Sequence, residues 1–112
     1  MSDQNCIFCK IINKQIPSKI IAENDDIIVI QDIHPKAPVH FLIIPKIHVA
    51  DVASLAADQV ALTGKMMLIA QELSHNLSGS KAFRLVINNG VDAGQVIYHL
   101  HMHFLSSKQM LD

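Results

Sequence analysis

Hydrophobic positions along the chain follow two periods, and the switches between them divide it into elements. Ile7, Phe8, Ile11 and Ile12 stand at i, i+3, i+4 spacing and predict a short helix over Ile7–Asn13, with Pro17 as its stop. A short strand is expected at about Lys19 to Glu23. Asn24-Asp25-Asp26 is turn chemistry, and Ile27-Ile28-Val29-Ile30-Gln31-Asp32 is β-branched and nearly all apolar, the mark of a strand buried on both faces. These two strands form a hairpin. Pro35 and Pro38 frame a loop, after which His40-Phe41-Leu42-Ile43-Ile44-Pro45 reads as a third strand ended by its proline.

The helical period returns over Asp58 to Leu77, where Leu62, Met66, Ile69, Leu73 and Leu77 recur on one face and Asp58 favours the N-terminus. This long helix is expected to lie across the sheet. Phe83-Arg84-Leu85-Val86-Ile87-Asn88 predicts a fourth strand, Asn89 to Val96 a glycine-containing loop, and Tyr98 to Leu105 a fifth strand. Five strands, one long and one short helix, and mostly short connections predict an α+β domain with an antiparallel sheet.

Composition narrows the class. At 112 residues, 50% hydrophobic and 17% charged, the chain is expected to fold as one globular domain over 1–112. A core of that size has little margin, which leaves room for shared burial in a dimer. The formal net charge is −1 and the nine Lys and Arg residues are scattered, so duplex nucleic acid is not an expected partner. No apolar run approaches the roughly 20 residues that cross a bilayer, and Met1-Ser2-Asp3-Gln4-Asn5 lacks the basic start and apolar stretch of a signal peptide, so the expected location is the cytoplasm, away from membranes.

The candidate chemistry lies in the last predicted strand, His99-Leu100-His101-Met102-His103-Phe104-Leu105. Alternation puts the three imidazoles on one face and Leu100, Met102 and Phe104 on the other. Histidine changes charge near neutral pH, so such a row can attack, accept protons and hold an anion. A metal-binding strand and a chance cluster are the other readings of the pattern. Cys6 and Cys9 form a CxxC pair, which in a reducing compartment is half of a metal site or a spare thiol pair rather than a structural disulfide.

The His-x-His-x-His run followed by two apolar residues resembles the signature of the histidine triad superfamily of nucleotidyl hydrolases and transferases. Three further stretches look like its Hint branch: Cys6-Ile7-Phe8-Cys9-Lys10-Ile11-Ile12, the segment from Asp32 to Pro45 containing His34-Pro35-Lys36-Ala37-Pro38-Val39-His40, and Gly94-Gln95 ahead of the triad. The resemblance spans nearly the whole chain and implies a homodimer in which the long helices and sheet edges of two chains meet. It implies that His101 is a nucleophile attacking the α-phosphorus of a nucleoside phosphoramidate to form a nucleotidyl-histidine, which water then releases as nucleoside monophosphate. His103 would face the phosphate oxygens, and His99 and His40 would complete the catalytic set by tuning orientation and protonation.

By the same resemblance, Asp32 accepts from the ribose hydroxyls, and Asn88, Gly94 and Gln95 surround the phosphate as uncharged donors. Phe8, Ile11, Ile16, Ile30, Ile33 and Leu42 match positions that sandwich a purine base; on sequence alone plain core packing accounts for each. No cofactor is required for the chemistry on phosphorus. Cys6, Cys9, His48 and His99 match a four-ligand zinc set seen in some members of the family, chemically a closed structural site. The competing reading is a free thiol pair that helps to start the first helix.

Departures from the family pattern bear on specificity. Val96 stands where a serine hydroxyl is common, Ser106-Ser107 where two glycines are common, and the chain stops at Asp112 soon after Gln109-Met110, without a longer tail. His34 replaces a small polar residue and is unexplained, while His75 reads as a solvated helix position. The expected activity is hydrolysis of purine nucleoside phosphoramidates, adenosine weakly over guanosine. The alternatives are a nucleotide-binding regulatory module with vestigial hydrolysis, a dinucleoside polyphosphate hydrolase and a metal-binding protein.

Overall fold

The structure is a computed structural model that describes residues 5–107. Five strands form one antiparallel sheet in the order β1-β2-β3-β5-β4: β1 Ile20–Glu23, β2 Ile27–Gln31, β3 Val39–Pro45, β4 Phe83–Val86 and β5 Met102–Ser106. The β1–β2 turn is built by Asn24, whose side-chain oxygen accepts from the backbone N–H groups of Asp26 and Ile27, both at 2.9 Å. The expected hairpin, long helix and α+β architecture are all present.

Each face of the sheet carries a helix, and strand alternation sorts the side chains between them. Ile27, Val29 and Ile43 pack with Leu100, Met102 and Phe104 against Met66, Ile69 and Leu73 of helix α2, Val60–His75. Ile28, Ile30, Leu42 and Ile44 point the other way, into the shorter helix α1, Ile7–Ile12, with its Phe8, Cys9 and Ile11. The register places Ile28 opposite Ile44, Val29 opposite Ile43 and Ile30 opposite Leu42, so neighbouring strands agree on which face each pair serves. β2 is accordingly buried on both sides, as its apolar run predicts. Full burial of each of these aliphatic chains contributes about 1.5–3 kcal/mol, which makes the β2–β3 pair a principal anchor of the fold.

Four boundaries differ from expectation by more than one residue. α2 begins at Val60 rather than Asp58 because a 3-10 turn, Ala57–Gln59, precedes it, closed by the Gln59 side chain accepting from the Ala56 N–H at 2.8 Å. It ends at His75, where the N–H of the capping residue Asn76 reaches back to the carbonyls of Leu73 and Ser74; His75 itself is exposed, as expected. β4 stops at Val86, leaving Asn88 in coil. The consequential difference is β5, which starts at Met102 instead of Tyr98. Extending the β3–β5 ladder past the Ile43–Met102 pair leads to Pro45, which has no N–H to donate, and the chain bends at 97–99. His99 and His101 therefore lie outside the sheet ladder, and only His103 is in a strand, although all three keep to the α1 face.

Ser106 and Ser107 both have a defined place. Ser106 is buried, its hydroxyl donating to the Ala82 carbonyl at 2.5 Å, while Ser107 adopts a left-handed backbone at φ 67°. Gln109, Met110 and Asp112, on which the tail reading fell, lie outside the described residues. Among the described residues no helix is long and apolar enough to cross a membrane.

Candidate active site

α1, the strand ends and the loop at 88–97 enclose a cleft of about 490 Å³ on the α1 face. One part is apolar, walled by Phe8, Ile11, Ile16, Ile30 and Leu42 with the exposed Ile33 at its rim. The other part is polar, where Asp32, Asn88, Gly94, His101 and His103 meet. Phe8, Ile11, Ile30 and Leu42 are at once cleft wall and core, so the two readings of these residues describe opposite sides of the same side chains. Gly94 holds a left-handed backbone at φ 92° that lets the loop turn toward the histidines.

His101 is oriented through its backbone neighbour. Its Nδ1 lies 2.8 Å from the carbonyl oxygen of His99, which can only accept, so Nδ1 carries the proton and Nε2 keeps its lone pair. Phe8 packs edge-on against the ring at 5.1 Å and against that of His99 at 5.8 Å. Burial holds the His101 pKa below the usual imidazole value, against the opposing pull of the His99 carbonyl and the Asp32 charge. The ring is therefore neutral at physiological pH.

His103 is set by a second relay. The backbone N–H of Lys36 donates to Nδ1 of His40 at 3.0 Å, which leaves the His40 proton on Nε2, 2.9 Å from Nδ1 of His103 and 3.3 Å from Oδ2 of Asp32. Nδ1 of His103 is thus the acceptor, and Nε2–H of His103 is left to donate. Burial, reinforced by the charges that His101 and His40 would carry, pushes the His103 pKa down to about 4; burial also lowers that of His40. Asp32 is shared, since its other oxygen accepts from the His34 N–H at 2.8 Å. Exposed His34, unexplained by sequence, forms part of the rim.

Two expected placements need correction. The His99 ring does not line the cleft; it is fully buried and turned toward the cysteines, and what it offers His101 is its carbonyl. Gln95 is buried as well, with both ends of its amide taken: Oε1 accepts from Gly90 N–H at 2.8 Å, and Nε2 donates to the carbonyls of Ala50 and Ile97 at 2.7 and 3.0 Å. It braces the loop rather than facing a phosphate. His40 sits behind His103 in an adjoining hollow. The Lys36 N–H and the carbonyls of His99 and Pro45 had no side-chain pattern by which a sequence could reveal them.

Beneath α1, Cys6, Cys9, His48 and His99 converge, each offering one donor atom within 4.8 Å of all the others. Nδ1 of His99 is 3.3 Å from Sγ of Cys6, 3.6 Å from Sγ of Cys9 and 3.2 Å from Nδ1 of His48, which is in turn 3.3 Å from Sγ of Cys9. Zinc bonds of about 2.0–2.3 Å imply tetrahedron edges of roughly 3.3–3.8 Å, which these separations match. Nε2 of His99 donates to the Pro45 carbonyl at 2.7 Å, turning the Nδ1 lone pair to the cluster as a metal ligand requires. The Cys6 sulfur also accepts from the Cys9 N–H at 3.3 Å at the start of α1, so helix capping and ligand geometry coincide. The donor set fits zinc. Asp32, His40 and His103 also converge, but at separations that their hydrogen bonds account for.

Residues 5–112 match the family model described as scavenger mRNA decapping enzyme C-term binding. Protein HitA of Neisseria gonorrhoeae is 40% identical over 92% of this chain and 96% of its own length. The chain belongs to the histidine triad superfamily. A HIT family hydrolase from Clostridium thermocellum superposes on this HIT protein with a TM-score of 0.94 at 40% identity, covering 99% of this chain and 97% of that one. A zinc-bound histidine triad family protein from Mycobacterium smegmatis does so with a TM-score of 0.81 at 30% identity, covering 93% and 76%. The fold of this HIT protein is that of HIT hydrolases.

Proposed function

We propose that this HIT protein is a nucleotidyl hydrolase that cleaves purine nucleoside phosphoramidates through a covalent intermediate on His101. One observation carries the reading: the Nδ1–H of His101 is tied to the His99 carbonyl, which leaves a neutral, nucleophilic Nε2 at a cleft large enough for a nucleotide. The base enters the apolar part and the ribose approaches Asp32. Nε2 attacks the α-phosphorus as the P–N bond breaks, and the departing amine takes up a proton from solvent at the open mouth of the cleft. The Nε2–H of His103 and the Asn88 amide stabilise the charge on the phosphoryl oxygens. Water then attacks the phosphorus, loses its proton to solvent, breaks the P–Nε2 bond and releases the monophosphate, leaving His101 neutral with its proton on Nδ1.

Cys6, Cys9, His48 and His99 hold a structural zinc ion in this reading. With all four ligands drawn from the protein, zinc bound there would serve structurally, tying α1 to the segment carrying the histidines. The protein acts as a homodimer. Support comes from the outward face of α2, where Val60, Met67 and Leu68 are exposed, and from β4, which forms a sheet edge with Phe83 exposed.

Incubation with adenosine 5′-phosphoramidate tests the activity: AMP release is expected, with His101→Ala losing turnover while AMP still binds. AMP binding without turnover in the unmutated protein overturns the enzyme reading in favour of a nucleotide-binding module. Analytical ultracentrifugation tests the dimer.

A further inference from the structure

We propose that the Cys6, Cys9, His48 and His99 cluster, when it carries zinc, is a positioning device for His101. The metal fixes the carbonyl of His99, and that carbonyl holds the His101 proton on Nδ1. The rate consequence rests on the nucleophile reading above, whereas the geometric consequence does not.

His99 connects two sites through different parts of one residue. Its imidazole belongs to the cluster, and its carbonyl orients His101 at 2.8 Å. Because β5 begins only at Met102, no ladder hydrogen bond fixes that carbonyl. The segment is held by the Leu100 N–H on the Val49 carbonyl at 2.7 Å, by the His99 ring on Pro45, and by the contacts of Nδ1 within the cluster. Phe8, flanked by two of the cluster's sulfurs, packs edge-on against both rings, so the cluster also sets the wall on which His101 leans.

Without metal the cluster is a poor anchor. Thiols are weak hydrogen-bond donors, and the two Nδ1 atoms of His48 and His99 face each other at 3.2 Å, so one of them must carry a proton. Nε2 of His99 already donates to Pro45, so that proton falls to His48. To hold zinc, His48 would have to turn its Nδ1 lone pair to the cluster beside that of His99, with both cysteines as thiolates, and these ligand contacts would replace the weak ones. A His99 carbonyl released from this clamp allows His101 to place its proton on Nε2, the tautomer that cannot attack phosphorus.

The test compares protein stripped by a chelator, the same protein reloaded with one equivalent of zinc, and His48→Gln. Ring nitrogens are followed by 15N NMR, AMP affinity by titration, and turnover with adenosine 5′-phosphoramidate. Zinc-loaded protein is expected to show His101 as a single Nδ1–H tautomer. Stripped protein and His48→Gln are expected to show an Nε2–H population, with kcat reduced by about tenfold or more and AMP affinity changed less than about twofold. His48→Gln supplies the answer if stripping unfolds the chain. An unchanged His101 tautomer on metal removal overturns the proposal, as does failure to retain zinc at micromolar concentration. A tautomer that responds to zinc in a protein that hydrolyses nothing upholds the positioning role and refutes the nucleophile reading instead.

Discussion

Nε2 of His40 lies 2.9 Å from Nδ1 of His103, and because the other nitrogen of His40 accepts from the Lys36 backbone, the direction of that hydrogen bond is fixed. His103 consequently presents an N–H donor at the cleft without being charged. Removing the donor is expected to cost more than removing its orienting partner: His103→Ala should lower kcat by about 10²–10³-fold, and His40→Ala by about 10–100-fold. Steady-state kinetics check the order. A larger loss from His40→Ala would mean that His40 itself meets the substrate.

The depressed histidines make stability depend on pH in a defined direction. His103 titrates near 4 in the folded protein, whereas an unfolded histidine titrates near 6.5. As pH falls through that window the unfolded chain takes up a proton that the folded chain refuses, so stability is full above about pH 6.5 and declines toward pH 4. Because the ring is only partly buried, solvent screening holds the contribution of His103 to roughly 1–2 kcal/mol. Urea unfolding at stepped pH should show the decline, and His103→Gln should make it shallower.

Gln95→Ala separates a brace from a phosphate ligand. The half-buried Gly90 N–H and the carbonyls of Ala50 and Ile97 all lose their partner, and the loss of stability is expected to be about 1–3 kcal/mol. Thermal unfolding measures it. A variant with unaltered stability but weakened AMP binding would return Gln95 to the phosphate.

Ser107→Gly is expected to stabilise the protein. Ser107 sits at φ 67°, where a side chain costs roughly 1 kcal/mol that glycine avoids. Chemical denaturation of the variant should show a higher midpoint with the same slope.

Much of the architecture was legible because apolar periodicity and burial agree. Ile27 to Ile30 show it, since both neighbours of the strand are apolar and each residue finds a face. The start of β5 was not legible: the alternation from Tyr98 onward is that of a strand, yet Pro45 ends the partner's donors and the His99 ring is drawn to the cysteines. Alternation specifies faces, while pairing also requires a donor opposite. The helix start was masked similarly, because Asp58 suits a 3-10 turn as well as an α-helix N-terminus.

At the site, the convergence of His101, His103, Asp32 and Asn88 was readable from motif resemblance, as was the Cys6, Cys9, His48 and His99 set. The division of labour was not. Gln95 and His99 carry side chains suited to an anion, but burial commits one to backbone carbonyls and the other to the thiols. Backbone groups such as the Lys36 N–H fix tautomers and leave no trace in residue identity.

Ile30 and Leu42 both point to the α1 face, where each is cleft wall on one flank and closely packed interior on the other, whereas Val96 and Ile33 stand 84% and 82% exposed at the mouth. Reshaping the inner surface would disturb the packing that keeps the strands together, but rim side chains can be exchanged at little structural cost. Divergence in what such a protein accepts should therefore concentrate at its entrance, with the deep hydrocarbon lining held nearly constant.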